Sequence, residues 1–461
     1  MSNLGPTRQR FLLVLLLFFH TVNTYMDRVC ISAAKGDMQS DISGLTDQMM
    51  GYAFGIFAIG YALFQVPSGW FSDRAGPRRA LTIVVVIWSI FTALTGAVYT
   101  AVMLLVVRFL FGVGEAGAYP GATRALYGWL PANERGLGQG IFHSGARVGA
   151  ALSLVIMPLV INAIGWRWTF VANAAVGGVW AGVWWFWFRD NPAEHKWANA
   201  AEVDLIERGR PEEDKQTSTI PFIQIVTSAN VLLAMFQYAA SNITFFIAIT
   251  WLRPYMQDRW GATAANYSAL PLLAGALALW LSGAAVTALH NRGSVVASRR
   301  LPAMLGFALS AIGLLLCTQL TDTSSALVFA IAFSIAIFGT EMTLSPSWCF
   351  CMDIGGDRSG AVSGSMNMVG NLGAALSAVI FPYFVAHVTL PVIAPETGSA
   401  NSFFALAATI NILAMLAWSM MNPQRKLKAA LSPTELRVRM LGFAAIAMLV
   451  IGALVYTQFL M

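Results

Sequence analysis

The stretch RFLFGVGEAGAYPGATRAL, residues 108–126, keeps a guanidinium and a carboxylate inside an apolar run. Arg108 and Glu115 are seven residues apart, close to two helical turns, so both side chains are expected on one helical face. Asp27, Arg28, Arg147 and Glu341 sit in similarly apolar surroundings. A charge at the centre of a bilayer costs roughly 2.5–3.5 kcal/mol on insertion scales, so charges that persist there face a water-filled cavity or one another. Arginine stays charged and presents a planar fork that matches a carboxylate, which makes Arg28 and Arg108 candidate anion ligands. Asp27 and Glu115 are candidate proton carriers. Glu115 pairing with Arg108 when deprotonated, and freeing it when protonated, would couple proton to anion. The alternative for each residue is a structural ion pair between helices.

The elements that must position these groups follow from composition. The chain has 461 residues, 57% hydrophobic and 11% charged, with a mean hydropathy of +0.64. Soluble domains are nearer about 25% charged, so this is an integral membrane protein. The net charge of +6 comes from arginines and lysines in loops between apolar runs, which the positive-inside rule explains without nucleic acid. Cys30, Cys317, Cys349 and Cys351 lie in apolar segments, with no disulfide framework or metal spacing, and no cofactor is implied. FLLVLLLFF after Arg10 continues into TVNTYMDRVC without a cleavage site and reads as a first span, not a signal peptide.

A span needs about 20 apolar residues. The pattern predicts helices near 11–34, 49–69, 79–99, 101–127, 137–161, 165–188, 228–252, 265–289, 301–320, 325–351, 359–386 and 400–421, and a thirteenth over 441–461. Arg8, Arg10, Arg74, Arg78, Arg79, Arg135, Arg292, Arg299, Arg300, Arg425, Lys426 and Lys428 all fall on one side, which predicts a cytoplasmic N-terminus. GARVGAALSLVIMP (145–158) and MVGNLGAALSAVIFP (368–382) match at an offset of 224, and Glu115 and Glu341 each precede a proline, Pro120 and Pro346, by five residues. The expected organisation is a six-helix half over 1–188, a cytoplasmic linker over 189–222 with a short surface helix in AEVDLIERG, a second half over 223–422, and a basic segment with the extra helix over 423–461. Parallel repeats of this kind place a substrate site at the midplane between the halves.

YMDR (25–28), YALFQVPSGWFSDRAGPRRAL (61–81), RFLFGVGEAGAYPGATRAL and PSWCFCMDIGGDRSGAVSGSMNMVGNLGAALS (346–377) together resemble the anion:cation symporter family of the major facilitator superfamily. That family includes bacterial sugar-acid transporters and animal sialin and vesicular glutamate transporters. The resemblance covers about residues 11–421. It implies an all-α membrane fold of two six-helix halves. It also implies an inner-membrane symporter of a small organic anion with protons, with no enzymatic activity and as a monomer. By position, Asp27 and Glu115 resemble the family's proton sites. Arg28 and Arg108 stand beside them, and Tyr25, Tyr61, Trp348 and Asn371 resemble substrate-cavity positions. Gly69, Asp73, Arg74, Gly76 and Arg79 match the superfamily's loop motif, which implies a conformational latch.

Two departures stand out. The second-half counterpart of that loop, GAAVTALHNRG (283–293), has Thr287 where the first has Asp73, which predicts a weaker latch. Arg147 stands where a neutral residue is expected and aligns with Asn371, so it either binds a second anionic group of the substrate or pairs with Glu341. His143 reads as packing more simply than as cavity lining. An exchanger of dicarboxylate or phosphorylated anions, or a sensor that binds without transporting, remain as alternatives.

Overall fold

The computed structural model describes residues 5–208, 222–261, 263–320, 325–389 and 400–427, with a few positions between 432 and 441. The expected helix over 441–461 therefore lies outside the described residues, apart from its first position. Helices follow one another with short joints. The first group is α1 (Gln9–Ala33), α2 (Lys35–Asp41), α3 (Asp47–Ala75), α4 (Pro77–Thr95), α5 (Ala101–Glu115), α6 (Ala118–Trp129), α7 (Arg135–Ile164) and α8 (Trp166–Trp187). α9 (Ala200–Arg208) and α10 (Phe222–Val226) follow on the connecting segment. The second group is α11 (Ala229–Thr250), α12 (Leu252–Trp260), α13 (Ala269–Asn291), α14 (Val295–Thr318), α15 (Ala326–Met342), α16 (Leu344–Gly355), α17 (Ser359–His387) and α18 (Asn401–Met420).

Among the described residues, nine helices are long and apolar enough to cross a membrane, or ten if the bent α7 is one span. The expected twelve are not recovered by length and apolarity alone. One reason is that α15, α16 and α17 run together as a single 62-residue stretch, and the tryptophan-rich α8 is not among the nine. The short helix expected in the linker is α9, which begins one residue earlier than expected, at Ala200.

Local chemistry explains the joints. Side-chain oxygens of Thr46, Thr100 and Ser325 accept from the backbone N–H of Met49, Met103 and Val328 and so cap α3, α5 and α15. Between α3 and α4 the chain turns through Gly76 at φ +80°, a conformation a Cβ disfavours, and Pro77 then opens α4 at the position where its missing N–H costs nothing. The expected single helix over 101–127 is instead two, α5 and α6, broken at Ala116–Gly117. Pro120 lies in the first turn of α6 and cannot donate back to Ala116. Pro346 breaks α15 from α16 in the same way. In α7 the halves Arg135–Ser153 and Val155–Ile164 meet at 46°, where Pro158 leaves the carbonyl of position 154 without its helical donor.

The two groups of helices meet along two seams. α3 packs against α17, and α7 against α13. At the first seam a Cβ on Gly69 would fall 2.3 Å from the Gly360 carbonyl oxygen, and at the second a Cβ on Gly283 would fall 2.8 Å from the Gly136 carbonyl oxygen. Gly69 and Gly283 are 214 residues apart, and Gly136 and Gly360 are 224 apart, the offset of the sequence repeat. Each seam is thus a backbone-to-backbone approach that only glycine permits.

Candidate functional site

Between the two groups lies a cavity of about 60 Å³ whose wall is strongly polar. α1 contributes Tyr25 and Arg28, α3 contributes Tyr61, α7 contributes Arg147, α15 contributes Glu341 and α17 contributes Asn371. All six were singled out in the sequence. The pairing differs from the expected one. Arg28 Nε donates to Glu115 Oε1 at 2.7 Å, with the Glu115 side chain fully buried. The Arg28 guanidinium also lies 4.3 Å from the Tyr61 ring centroid and 5.1 Å from that of Tyr25.

Arg108, the expected partner, has no carboxylate within ion-pair distance among the described residues. It is 2% exposed and sits off the cavity wall, with its guanidinium 4.6 Å from the Phe111 ring centroid and 4.9 Å from that of Phe57. Glu115 is the last residue of α5, directly before the break, and its carboxylate pairs with Arg28 of α1. Asp27 also lies behind the wall. It is 1% exposed, with the Thr92 hydroxyl 3.5 Å from its Oδ2 and no partner for Oδ1. Trp348 is fully buried behind the cavity wall, where its indole N–H donates to the Tyr238 hydroxyl at 3.2 Å and its ring packs against His143 and Tyr119.

Arg147 forms an ion pair with Glu341, so the pairing alternative describes its contact in this conformation. The pair joins α7 of the first group to α15 of the second, and the Arg147 guanidinium lies 4.0 Å from the Phe245 ring centroid. Asn371 donates to the Asn367 carbonyl at 2.8 Å. His143 both packs and lines the cavity, buried against the rings of Tyr119 and Trp348. Sequence reasoning missed Tyr119, Tyr238, Asn242 and Asn367. The available signal was helical spacing, with Asn367 four residues before Asn371 on α17 and Tyr238 four before Asn242 on α11.

At one end of the α3–α17 seam, Asp73 accepts from the backbone N–H of Gly360 at 2.8 Å and of Ala361 at 2.7 Å, in the first turn of α17. Four N–H groups at a helix start have no internal partner and carry partial positive charge, so a carboxylate there is doubly favoured. Arg124 Nε approaches Asp73 at 3.9 Å while its Nη2 pairs with Asp357 at 2.7 Å. Of the loop motif, Gly69 and Asp73 make the contact and Gly76 makes the turn. Arg74 lies over its own neighbour Trp70 at 4.2 Å, and Arg79 is exposed. The arginine that serves Asp73 is Arg124, which the sequence reading passed over.

The second seam repeats the arrangement with neutral chemistry. The Thr287 hydroxyl accepts from the Leu137 N–H at 3.1 Å in the first turn of α7. Beside it, Asp353 bridges Arg299 at 2.7 Å and Arg135 at 3.4 Å. The connecting segment is tied down near this face. Glu202 of α9 accepts from Thr7 Oγ1 at 2.5 Å, from the N–H of Gln9 at 3.0 Å and from that of Arg10 at 3.1 Å. Burial alone would push the Glu202 carboxyl up, but these hydrogen bonds together hold it below its ordinary value.

A helical bundle with two glycine-tight seams and a charged cavity between them is the architecture of a multi-pass membrane transporter. The family described as Major Facilitator Superfamily matches residues 17–378, and the chain belongs to it. The probable sulfoacetate transporter SauU of Cupriavidus necator is 31% identical over 90% of this chain and 94% of that protein. The probable galactarate/D-glucarate transporter GudP of Bacillus subtilis is 28% identical over 89% and 91%. The D-galactonate transporter of Escherichia coli is 28% identical over 82% and 90%. The proton:xylose symporter XylE bound to 6-bromo-6-deoxy-D-glucose superposes with a TM-score of 0.70 over 91% of this chain and 98% of that one, at 14% identity, which speaks for the fold alone. The family consists of transporters, so the chain is not an enzyme.

Proposed function

We propose that the protein is a proton-coupled symporter that carries a small organic anion, a sugar acid or related carboxylate, across the plasma membrane by alternating access. Twelve spans in two six-helix halves, with a cytoplasmic N-terminus, rock about the central cavity. The relatives named for sulfoacetate, galactarate, D-glucarate and D-galactonate support the substrate class. The observation that carries the coupling is the single-contact pair of Arg28 and Glu115, with Glu115 Oε2 left without a donor. A proton on Glu115 removes its charge and releases Arg28, whose fork then takes the substrate carboxylate. Loss of the substrate lets the pair re-form and expels the proton. Asp27, one residue before Arg28, is the second proton carrier in this reading, and Arg108 supports the local charge instead of touching substrate.

The free space at the site is small in this conformation, about 60 Å³ against the roughly 300 Å³ at which ligand pockets begin. Tyr25, Tyr61 and Asn371 would contact substrate once it opens. The Asp73 contact to α17 holds one face shut, and opening that face requires breaking it.

Glu115→Gln in proteoliposomes tests the coupling. The variant should retain exchange of the anion between the two sides and lose accumulation driven by an imposed proton gradient. Accumulation at the wild-type level would remove Glu115 from the role. Accumulation in the wild type that needs a preloaded internal anion and ignores the proton gradient would make the protein an exchanger.

A further inference from the structure

Six buried ionisable groups surround the cavity or back it: Arg28, Arg108 and Arg147 against Asp27, Glu115 and Glu341. The symport reading uses one pair and leaves Arg147 and Glu341 idle. The two pairs are built alike. Arg28 meets Glu115 through one nitrogen and one oxygen, and Arg147 meets Glu341 the same way. In each pair a guanidinium nitrogen is buried without a partner, Nη2 of Arg28 and Nε of Arg147. In each the second carboxylate oxygen is also buried without a donor, Oε2 of Glu115 and Oε2 of Glu341. A guanidinium can grip a carboxylate with two parallel N–H bonds, so each arginine is half used. The two glutamates occupy the same place in the repeat, just before the proline-broken joints of α5–α6 and α15–α16.

We infer that Arg147 is a second acid-binding point, opened when Glu341 takes a proton, and that the substrate is therefore a small diacid carried with two protons. This rests on the symport reading above and names its substrate class. The empty site balances three positive groups against three negative ones. In a low-dielectric cavity, uncompensated charge is costly, so each incoming acid group must be matched by one proton. A dianion with protons on Glu115 and Glu341 restores the balance, with Asp27 relaying protons without keeping one. Its two acid groups take the places of the two glutamates, one on each arginine.

The surroundings fit. Tyr25 of α1, Tyr119 of α6, His143 of α7 and Tyr238 of α11 are the other titratable groups facing this end of the cavity, and none is a carboxylate that would compete for Arg147. On the far side Gly275 of α13 comes so close that a Cβ would fall 2.9 Å from Glu341 Cγ, and α13 carries no arginine or lysine, so that helix offers Glu341 no alternative guanidinium or ammonium. Galactarate and D-glucarate, named for one relative, and sulfoacetate, named for another, each carry two acid groups.

The test compares D-glucarate with D-gluconate, its counterpart lacking one carboxylate, in proteoliposomes of the full chain under an inward proton gradient. The wild type should half-saturate at a concentration about tenfold lower for D-glucarate, the order expected for one extra charge-assisted contact. D-Glucarate uptake should not respond to membrane potential set with potassium and valinomycin, because two protons neutralise the dianion. The double variant Arg147→Gln with Glu341→Gln removes both charges, so no lone buried charge disturbs folding. In it the preference should collapse to near parity, and residual D-glucarate uptake should become potential-dependent. A wild type that accumulates D-gluconate and ignores D-glucarate overturns the diacid inference alone. So does a double variant with unchanged preference. If neither acid accumulates under the proton gradient, the symport reading falls and this inference falls with it.

Discussion

Asp73→Asn is the substitution whose effect can be worked most directly from geometry. The Asp73 side chain is fully buried and its two oxygens each accept one N–H from the first turn of α17, at 2.8 Å from Gly360 and 2.7 Å from Ala361. Asparagine keeps one acceptor and turns the other into an NH₂ that faces a backbone donor. The loss is one hydrogen bond to a charged acceptor, about 1.5–3 kcal/mol, and the favourable interaction of an anion with a helix start, about 0.3–1 kcal/mol. Together they are roughly 2–4 kcal/mol, a factor of about 30 to 700 in the equilibrium for opening this seam. Hydrogen–deuterium exchange reads it locally, since exchange at the Gly360 and Ala361 amides follows the opening equilibrium when closing is fast. Both amides should exchange faster by a factor within that range, while amides deep in α14 stay as in the wild type. Thr287→Val makes the internal comparison. It removes one neutral hydrogen bond, about 0.5–1.5 kcal/mol, so Leu137 should speed up only about 2- to 12-fold. If exchange at Gly360 and Ala361 changes by less than about twofold in Asp73→Asn, the carboxylate does not hold the seam. Equal effects at the two seams would refute the asymmetry between them.

Two further substitutions probe the helix approach at Gly69 and the linker contact at Glu202. Gly69→Ala leaves the Asp73 charge intact but places a methyl 2.3 Å from the Gly360 carbonyl oxygen, a backbone atom that cannot rotate away, so the same two amides should lose protection and thermal stability should drop. Wild-type behaviour would mean the helices have room that the geometry does not give. Glu202→Gln tests the linker. Because the Glu202 carboxyl is held below its ordinary value when folded, its contribution is present at neutral pH and is lost as pH falls through that lowered value. The variant should therefore melt lower than the wild type at pH 7, with the gap closing in acid. A gap that is constant with pH would assign the effect to packing of α9 alone.

The buried charges were legible in the sequence because their cost in an apolar segment demands a reason, and Tyr25, Arg28, Tyr61, Arg147, Glu341 and Asn371 all reach one cavity. The partnering was not legible. Arg108 and Glu115 both lie on α5, seven residues apart, but that spacing does not show that a nearer cation reaches Glu115 from another helix. The partner then comes from α1, 87 residues earlier in the chain, and no local periodicity encodes that distance. Trp348 illustrates the same limit, since an indole one layer behind Tyr238 has the same sequence signature as one on the wall. The α3–α17 contact was legible in Gly69 and Asp73, which lie four residues apart on α3. Its arginine was not, because Arg124 reaches Asp73 across the bundle from α6.

The two ion pairs in the cavity differ in one respect that bears on mechanism. Arg28 and Glu115 lie on α1 and α5, both in the first group of helices, so making or breaking that pair changes affinity without directly pulling the groups together. Arg147 and Glu341 lie on α7 and α15, one in each group, so that pair is also a strut across the cavity. A ligand can bias a conformational equilibrium only by interacting differently with its two states. A substrate acid group that replaces Glu341 on Arg147 acts on the strut itself, whereas one that replaces Glu115 on Arg28 does not. Binding at Arg28 alone would therefore load the site, and engagement of Arg147 would be what couples loading to movement of one group of helices against the other.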